Sequence, residues 1–255
     1  MNALTWLTKH SQAVIFRKKL AGLTACSQMI ELSTPLNDGQ RKFIFRQQSA
    51  RATLLAINYA QEAYILQHLD ALPFTPKVYY QTANSSLLTW LEGKPATAFD
   101  PDLLEQLALQ LATLHAYPLP KQRTILQLAE RCQLLWDRLT PSQQHQLNFC
   151  PPFKKIEPLQ LAICHHDLHL ANLIQHQQQL FIIDWEYSAI SDPVLEIALF
   201  FQANTLNSVQ KQFFLTTYLS KINLNEPLFK QKMAEYTPAI QQLSQLWYAL
   251  SEAIT

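Results

Sequence analysis

Polar and apolar residues alternate in three short runs near the amino terminus, 16–21, 28–33 and 41–47, the period of half-buried strands. A turn at Pro35–Gly39 separates the last two, so an antiparallel meander is expected. From Leu54 to Leu69 the apolar side chains recur at helical spacing, and Pro73 and Pro76 then end the pattern. Two further strands are predicted at 77–82 and 86–91. Five strands around one helix make a small amino-terminal lobe, residues 1–91.

The texture changes at Asp100, an N-cap followed by Pro101 at the first helical position and a long amphipathic run. Helical patterns dominate afterwards, at 123–139, 194–202, 210–222 and 240–254. The expectation is an α+β chain: a small antiparallel-sheet lobe and a larger, mainly helical lobe over residues 92–255.

Composition narrows the chemistry. With 20 Lys and Arg against 19 Asp and Glu, the formal net charge of +1 offers no broad attraction for nucleic acid or anionic membrane. No secretory leader and no bilayer-length apolar stretch is read, and Cys26, Cys132, Cys150 and Cys164 form no CxxC pair, so a reduced, cytoplasmic protein is expected. Only 3 glycines occur among 255 residues, which nearly excludes the usual glycine-rich nucleotide loops.

The segment ICHHDLHLANLIQHQQQLFIIDWEY holds His165, Asp167, Asn172 and Asp184 on what reads as a loop, a strand, a tight turn and a second apolar strand. Phosphoryl transfer needs a carboxylate beside the attacking hydroxyl and oxygen ligands that hold magnesium against nucleotide phosphates. Asp167 can supply the first. Asn172 and Asp184, converging from two arms of a hairpin, can supply the second. An isolated Asp or Asn in such a stretch more often caps a turn; the joint spacing points the other way.

That spacing, His165-x-Asp167-x-x-x-x-Asn172 followed by Asp184, resembles the catalytic loop and metal-binding aspartate of kinase-like phosphotransferases. The wording HHDLHLANL and IDWEY is closest to the branch holding aminoglycoside phosphotransferases, choline kinases and bacterial thiamine kinases, with IDWEYSAISDPVLEIA most like the last. The resemblance implies a two-lobed protein-kinase-like fold, ATP as co-substrate and Mg2+ as cofactor. It implies Asp167 as catalytic base, Asn172 and Asp184 as metal ligands, and His165 as structural support for the loop. His166, His169 and His176 are read as loop or core histidines, and Asp192 before Pro193 as a helix cap.

In the small lobe the resemblance implies a strand cation that steadies phosphates and pairs with a helix glutamate, a role that Arg46 and Glu62 fit, with Lys42 as competitor. Arginine suits the task because its planar fork binds phosphate or carboxylate through paired hydrogen bonds. Gly22 and Ser27, in GLTACSQ, lie where a phosphate-covering loop belongs, though an ordinary hairpin turn is the competing reading. Trp90 and Leu91 resemble the hinge that meets adenine, or else are core.

Thiamine and choline are permanent cations bearing a primary hydroxyl, so aromatic faces and carboxylates are expected around either. Trp185 and Glu186 are the candidates beside the metal aspartate, with Tyr187 next and Trp136 and Trp247 on helices. The function expected is phosphorylation of a small hydroxyl-bearing, cationic molecule, thiamine ahead of choline, other amino alcohols, aminoglycosides or sugars. No obligate protein partner is evident. Two other classes stand beside it: a phosphohydrolase built on the His166-Asp167 doublet, which needs a nearly all-helical fold, and a non-catalytic nucleotide-binding descendant.

Overall fold

The alternation in Lys42-Phe43-Ile44-Phe45-Arg46 decides how the first sheet faces its two layers. The computed structural model describes residues 3–10, 14–20, 26–121 and 125–252. In it the chain runs through α1 (Ala3–His10), β1 (Val14–Lys19), β2 (Cys26–Leu32), β3 (Lys42–Gln47), α2 (Ala50–Leu54), α3 (Tyr59–His68), β4 (Val78–Gln81) and β5 (Ser85–Thr89). The strands form one antiparallel sheet in the order β1-β2-β3-β5-β4. Phe43 and Phe45 point to one face, where they join Ile30, Leu32, Leu87 and Leu7 of α1 in a small core. Ile44 and Leu88 point to the other face and join the main core, which includes Ile65 and Leu66 of α3. Arg46, two residues beyond Ile44, therefore faces α3.

One continuous helix over 54–69 was the expectation, and two helices are found. Ser49 caps α2 by accepting from Ala52 N, Ala56 then takes a left-handed backbone at φ 54, and Asn58 starts α3 by accepting from Ala60 N and Gln61 N. A non-glycine residue at positive φ cannot continue a helix. The carbonyls released at the end of α2 are taken by arginines from the large lobe: Arg138 donates to Thr53 O and Leu54 O, and Arg131 to Leu55 O and Ala56 O. Helix periodicity is blind to such partners, which lie some 75 to 85 residues away.

The large lobe contains β6 (Lys94–Pro95), α4 (Pro101–His115), α5 (Leu128–Trp136), α6 (Pro141–Gln146), β7 (Ala162–Cys164), β8 (Leu173–His176), β9 (Gln179–Ile182), β10 (Ala189–Ser191), α7 (Pro193–Ala203), α8 (Ser208–Leu219) and α9 (Glu226–Glu252). Asp100 caps α4 by accepting from Leu103 N, as its position before Pro101 predicts. The last helix starts well before the expected residue 240 and runs through Pro238. Proline removes one ladder bond and normally breaks a helix interior. Here Phe229, Tyr236, Ala239 and Ile240 on both sides of it are buried, and α9 packs on α5 and α7. That packing outweighs the local preference.

Strands β6, β8 and β9 form one small antiparallel sheet, and β7 pairs with β10. Strands β7 and β9 pack on α4, and β7 also on α7. No helix among the described residues is long and apolar enough to cross a membrane.

Candidate active site

The β8–β9 hairpin sets the geometry. Leu173 pairs with Ile182, and Ile183 N donates to Asn172 O at 3.0 Å, so Asn172 sits at the mouth of one strand and Asp184 just past the end of the other. Asp184 adopts φ 65, a left-handed turn that an aspartate tolerates better than most residues, and its side chain is 37% exposed. The hairpin thus sets the two residues beside one another at the same end of its strands.

Asp167 lies on the loop between β7 and a single 3-10 turn, Leu170–Asn172. Asn172 Nδ2 donates to Asp167 O and Oδ2 and lies 3.1 Å from His169 Nε2. The amide nitrogen is thereby engaged, and the amide oxygen is left as the acceptor that a cation could use. His169 stands 3.6 Å from Asp167 Oδ2, and the nearness of that carboxylate holds the imidazole above its ordinary pKa.

His165 is fully buried, with Nε2 against Ile183 O and Nδ1 accepting from Asp167 N. It ties the loop to the end of β9. Trp185, a candidate for the acceptor pocket, does not join the pocket-facing residues. It is 0% exposed, donates from Nε1 to Ile182 O, and meets His165 edge to face at 4.8 Å.

Across the junction, Arg46 donates from Nη1 to Glu62 at 2.5 Å and from Nη2 to Asp184 at 2.7 Å and Glu186 at 2.5 Å. Tyr59 of α3 lies under the guanidinium, 5.0 Å from it, and its hydroxyl donates to Glu186. Glu186 is therefore inside this ion cluster and not at the pocket surface. Lys42 binds Glu92 at 2.7 Å near the lobe connection, which separates it from Arg46's position. Burial, reinforced by the neighbouring carboxylates, pushes Glu62 up to about 8 despite Arg46.

Even with Glu62 protonated, one guanidinium faces the carboxylates of Asp184 and Glu186, which leaves an excess of negative charge. That excess, with a carboxylate and an amide oxygen at the hairpin mouth, is the complement of a hard divalent cation. The donor set fits magnesium.

Ser27 lies directly opposite Arg46 in the β2–β3 ladder. Gly22 falls outside the described residues. Trp90 and Leu91 are half-buried in the connection leaving β5, where Trp90 N extends the sheet by donating to Lys42 O. Tyr187 accepts from Trp247 Nε1 at 2.8 Å, while Trp136 packs with Phe149 and Phe153. His166 is held below its ordinary pKa by burial, His176 is exposed, and Asp192 caps α7 by accepting from Val194 N.

Sequence reading missed Glu196. It is 1% exposed, and its Oε1 accepts from both His165 N and His166 N while Oε2 meets His115 Nε2 at 2.6 Å. The available signal was a lone charge inside the apolar helix PVLEIALFFQA, since such a residue is rarely buried unpaired.

The hairpin and the antiparallel sheets are unlike the nearly all-helical fold that a His-Asp phosphohydrolase requires. Comparison with known proteins agrees. Over 238 residues the chain is 27% identical to a thiamine kinase of Escherichia coli, covering 89% of this chain and 80% of that protein. It is 26% identical over 168 residues to a protein LicA homolog of Metamycoplasma hominis, covering 63% of this chain and 66% of its relative, just under two thirds. The solved choline kinase LicA of Streptococcus pneumoniae shares the fold with a TM-score of 0.73 at 21% identity, over 98% of this chain and 90% of that one. A family model described as phosphotransferase enzyme family matches residues 35–219, and with most of its length inside that match the chain belongs to this family.

Proposed function

We propose that the chain transfers the γ-phosphate of ATP, with magnesium, to the hydroxyl of a small cationic molecule, thiamine foremost. The observation that carries the reading is the meeting of Asp167, Asn172 and Asp184 at one hairpin mouth, facing Arg46 and Glu62.

In this reading Asp167 accepts the proton of the attacking hydroxyl, and Asn172 Nδ2 fixes the carboxylate while doing so. Asn172, through its remaining oxygen, and Asp184 hold the magnesium, which when bound supplies charge neutralisation at the phosphates. Arg46 orients Asp184 and is itself locked by Glu62, so its contribution to phosphate binding passes largely through that carboxylate. Ser27 covers the phosphates, and Trp90 and Leu91 border the adenine. His165 and Trp185 brace the loop from below.

Thiamine is put first because the similarity to the E. coli thiamine kinase runs over nearly the whole chain. The joined aromatic pair Tyr187 and Trp247 offers π faces for an onium group. Choline is the second reading, favoured by the shape shared with the streptococcal choline kinase.

The test is ADP release from purified protein with Mg2+ and ATP, across thiamine, choline, ethanolamine, an aminoglycoside and a hexose. Thiamine-dependent release, with thiamine phosphate as product, is expected. Release with choline or an aminoglycoside but not with thiamine would overturn the acceptor and leave phosphotransfer standing.

A further inference from the structure

Helix α7 holds the Asp167 loop at both ends. Upstream, Glu196 Oε1 accepts from His165 N at 2.6 Å and His166 N at 2.8 Å. These bonds stabilise His166 at φ 67, a left-handed backbone that a non-glycine residue keeps only when its surroundings hold it. Downstream, Asn204 Nδ2 donates to Leu168 O at 2.8 Å. The same nitrogen donates to Phe200 O at 2.8 Å, one turn back in its own helix. Asn204 is the C-cap of α7, at φ −122 and ψ 142, and sits eight residues after Glu196, roughly 12 Å along the axis.

We infer that Asn204 is a positioning residue for phosphoryl transfer: by gripping the Leu168 carbonyl it fixes the Leu168–His169 peptide, one residue beyond Asp167, and so the backbone from which the Asp167 carboxylate projects. The inference rests on the reading of Asp167 as base. A residue serving only to end α7 needs the single bond to Phe200 O. The second amide hydrogen is spent 36 residues away, on the residue adjoining Asp167. Leu168 itself is 3% exposed, so its peptide lies where an unpaired carbonyl is costly. Without Asn204 the peptide must turn to find another donor, and Asp167 turns with it. The other supports of Asp167, His165 Nδ1 on its N–H and Asn172 on both its carbonyl and its carboxylate, come from the loop and the start of the hairpin. Glu196 and Asn204 connect that loop to a rigid element.

The test compares wild type, Asn204→Ala, Asn204→His and Asp167→Asn with Mg·ATP and each acceptor of the panel above. Displacing a reacting group by about 1 Å costs on the order of 100-fold, so Asn204→Ala should lower kcat by about 10- to 100-fold. KM for ATP and acceptor should move less than about threefold, because the binding surfaces are untouched. Asn204→His returns an N–H at nearly the same distance from the backbone and should recover most of the rate. Should the alanine variant fail to fold, Asn204→Asp, equal in size but without the donor, takes its place against the histidine variant. An alanine variant with kcat within about threefold of wild type overturns the inference, as does an equal loss in the histidine variant. Asp167→Asn separates the two levels. Wild-type turnover there removes the base assignment, whereas an inactive Asp167→Asn beside a fully active Asn204→Ala removes only the role of Asn204.

Discussion

Asn172 Nδ2 donates at once to the backbone carbonyl of Asp167 at 2.9 Å and to its carboxylate Oδ2 at 3.1 Å. One side chain therefore sets both where the loop turns and where the candidate base points. Replacing Asp167 with Asn preserves size and removes the proton acceptor. The expected outcome is a fall in kcat of roughly 100- to 10,000-fold, with Mg·ATP affinity changed less than about threefold. Single-turnover rates and equilibrium nucleotide binding, measured on the same preparation, check it.

The second prediction concerns stability. Arg46 is 5% exposed and is the cation to which Glu62, Glu186 and Asp184 are bound. Arg46→Ala leaves Glu62 and Glu186 buried without it, at a cost of about 3–5 kcal/mol. For a chain of this size that lowers Tm by roughly 10 °C. Arg46→Lys keeps the charge but cannot fork to several carboxylates, so it should fall between. The double variant Arg46→Met with Glu62→Gln should lose less than Arg46→Ala alone, because it removes a buried carboxyl that must otherwise take up a proton once its arginine partner is gone. Thermal melts of the four proteins decide this, and a single Arg46→Ala melt unchanged from wild type rejects it.

These two residues also show what could be read in advance. Arg46 and Glu62 were legible through the resemblance to kinase-like phosphotransferases, and the alternation of β3 agrees with it: two positions after Ile44, Arg46 lies on the face that meets α3. Asp167, Asn172 and Asp184 followed from spacing, because a hairpin brings together residues that flank its two strands. Glu196 did not follow from either rule, since what it binds is the backbone of a loop 30 residues away and backbone amides leave no trace in a sequence. The break at Ala56 was hidden for the same reason, with arginines of another lobe satisfying the carbonyls at the end of α2. Pro238 is the opposite case: a local breaker inside α9 is overridden by burial on both sides of it. Local pattern was informative wherever the partner was the next strand or turn, and silent wherever a distant polar group supplied the missing bond.

Glu196 gives a pH prediction. Burial works to raise its pKa, yet the hydrogen bond and electrostatic attraction of His115 outweigh it and hold the carboxyl at about 2, below the ordinary 4.5. A carboxylate depressed on folding contributes stability that is fully present above about 4.5 and is lost as the pH falls through about 2. Acid should therefore destabilise the wild type across this window more steeply than Glu196→Gln, which has no proton to gain there. Urea midpoints measured from pH 5 down to the lowest pH at which the fold persists test it. Parallel curves for the two proteins would show that Glu196 is not the group responsible.

Gly93 connects the five-stranded sheet to β6 and adopts φ 139, a backbone that residues with a side chain rarely reach. Space is as restrictive as conformation: a Cβ placed there would stand 2.5 Å from Gln175 O and 2.7 Å from Ile174 Cγ2, both on β8. Strand β8 starts at Leu173, immediately after Asn172, and pairs with β6 through Lys94–Gln175 and Pro95–Ile174. A side chain at 93 thus cannot be accommodated without moving the strand that carries one of the candidate metal ligands. Gly93→Ala is expected to cost about 1–3 kcal/mol from overpacking alone, with backbone strain adding to it. If the displacement reaches Asn172, the variant that still folds should require more magnesium for half-maximal turnover, while Asp167-dependent proton transfer keeps its pH profile. Melting temperature together with a magnesium titration separates the two consequences. A Gly93→Ala protein with wild-type Tm would mean that β8 yields freely, and the tight contact seen between this connection and the hairpin would then have no part in holding the site.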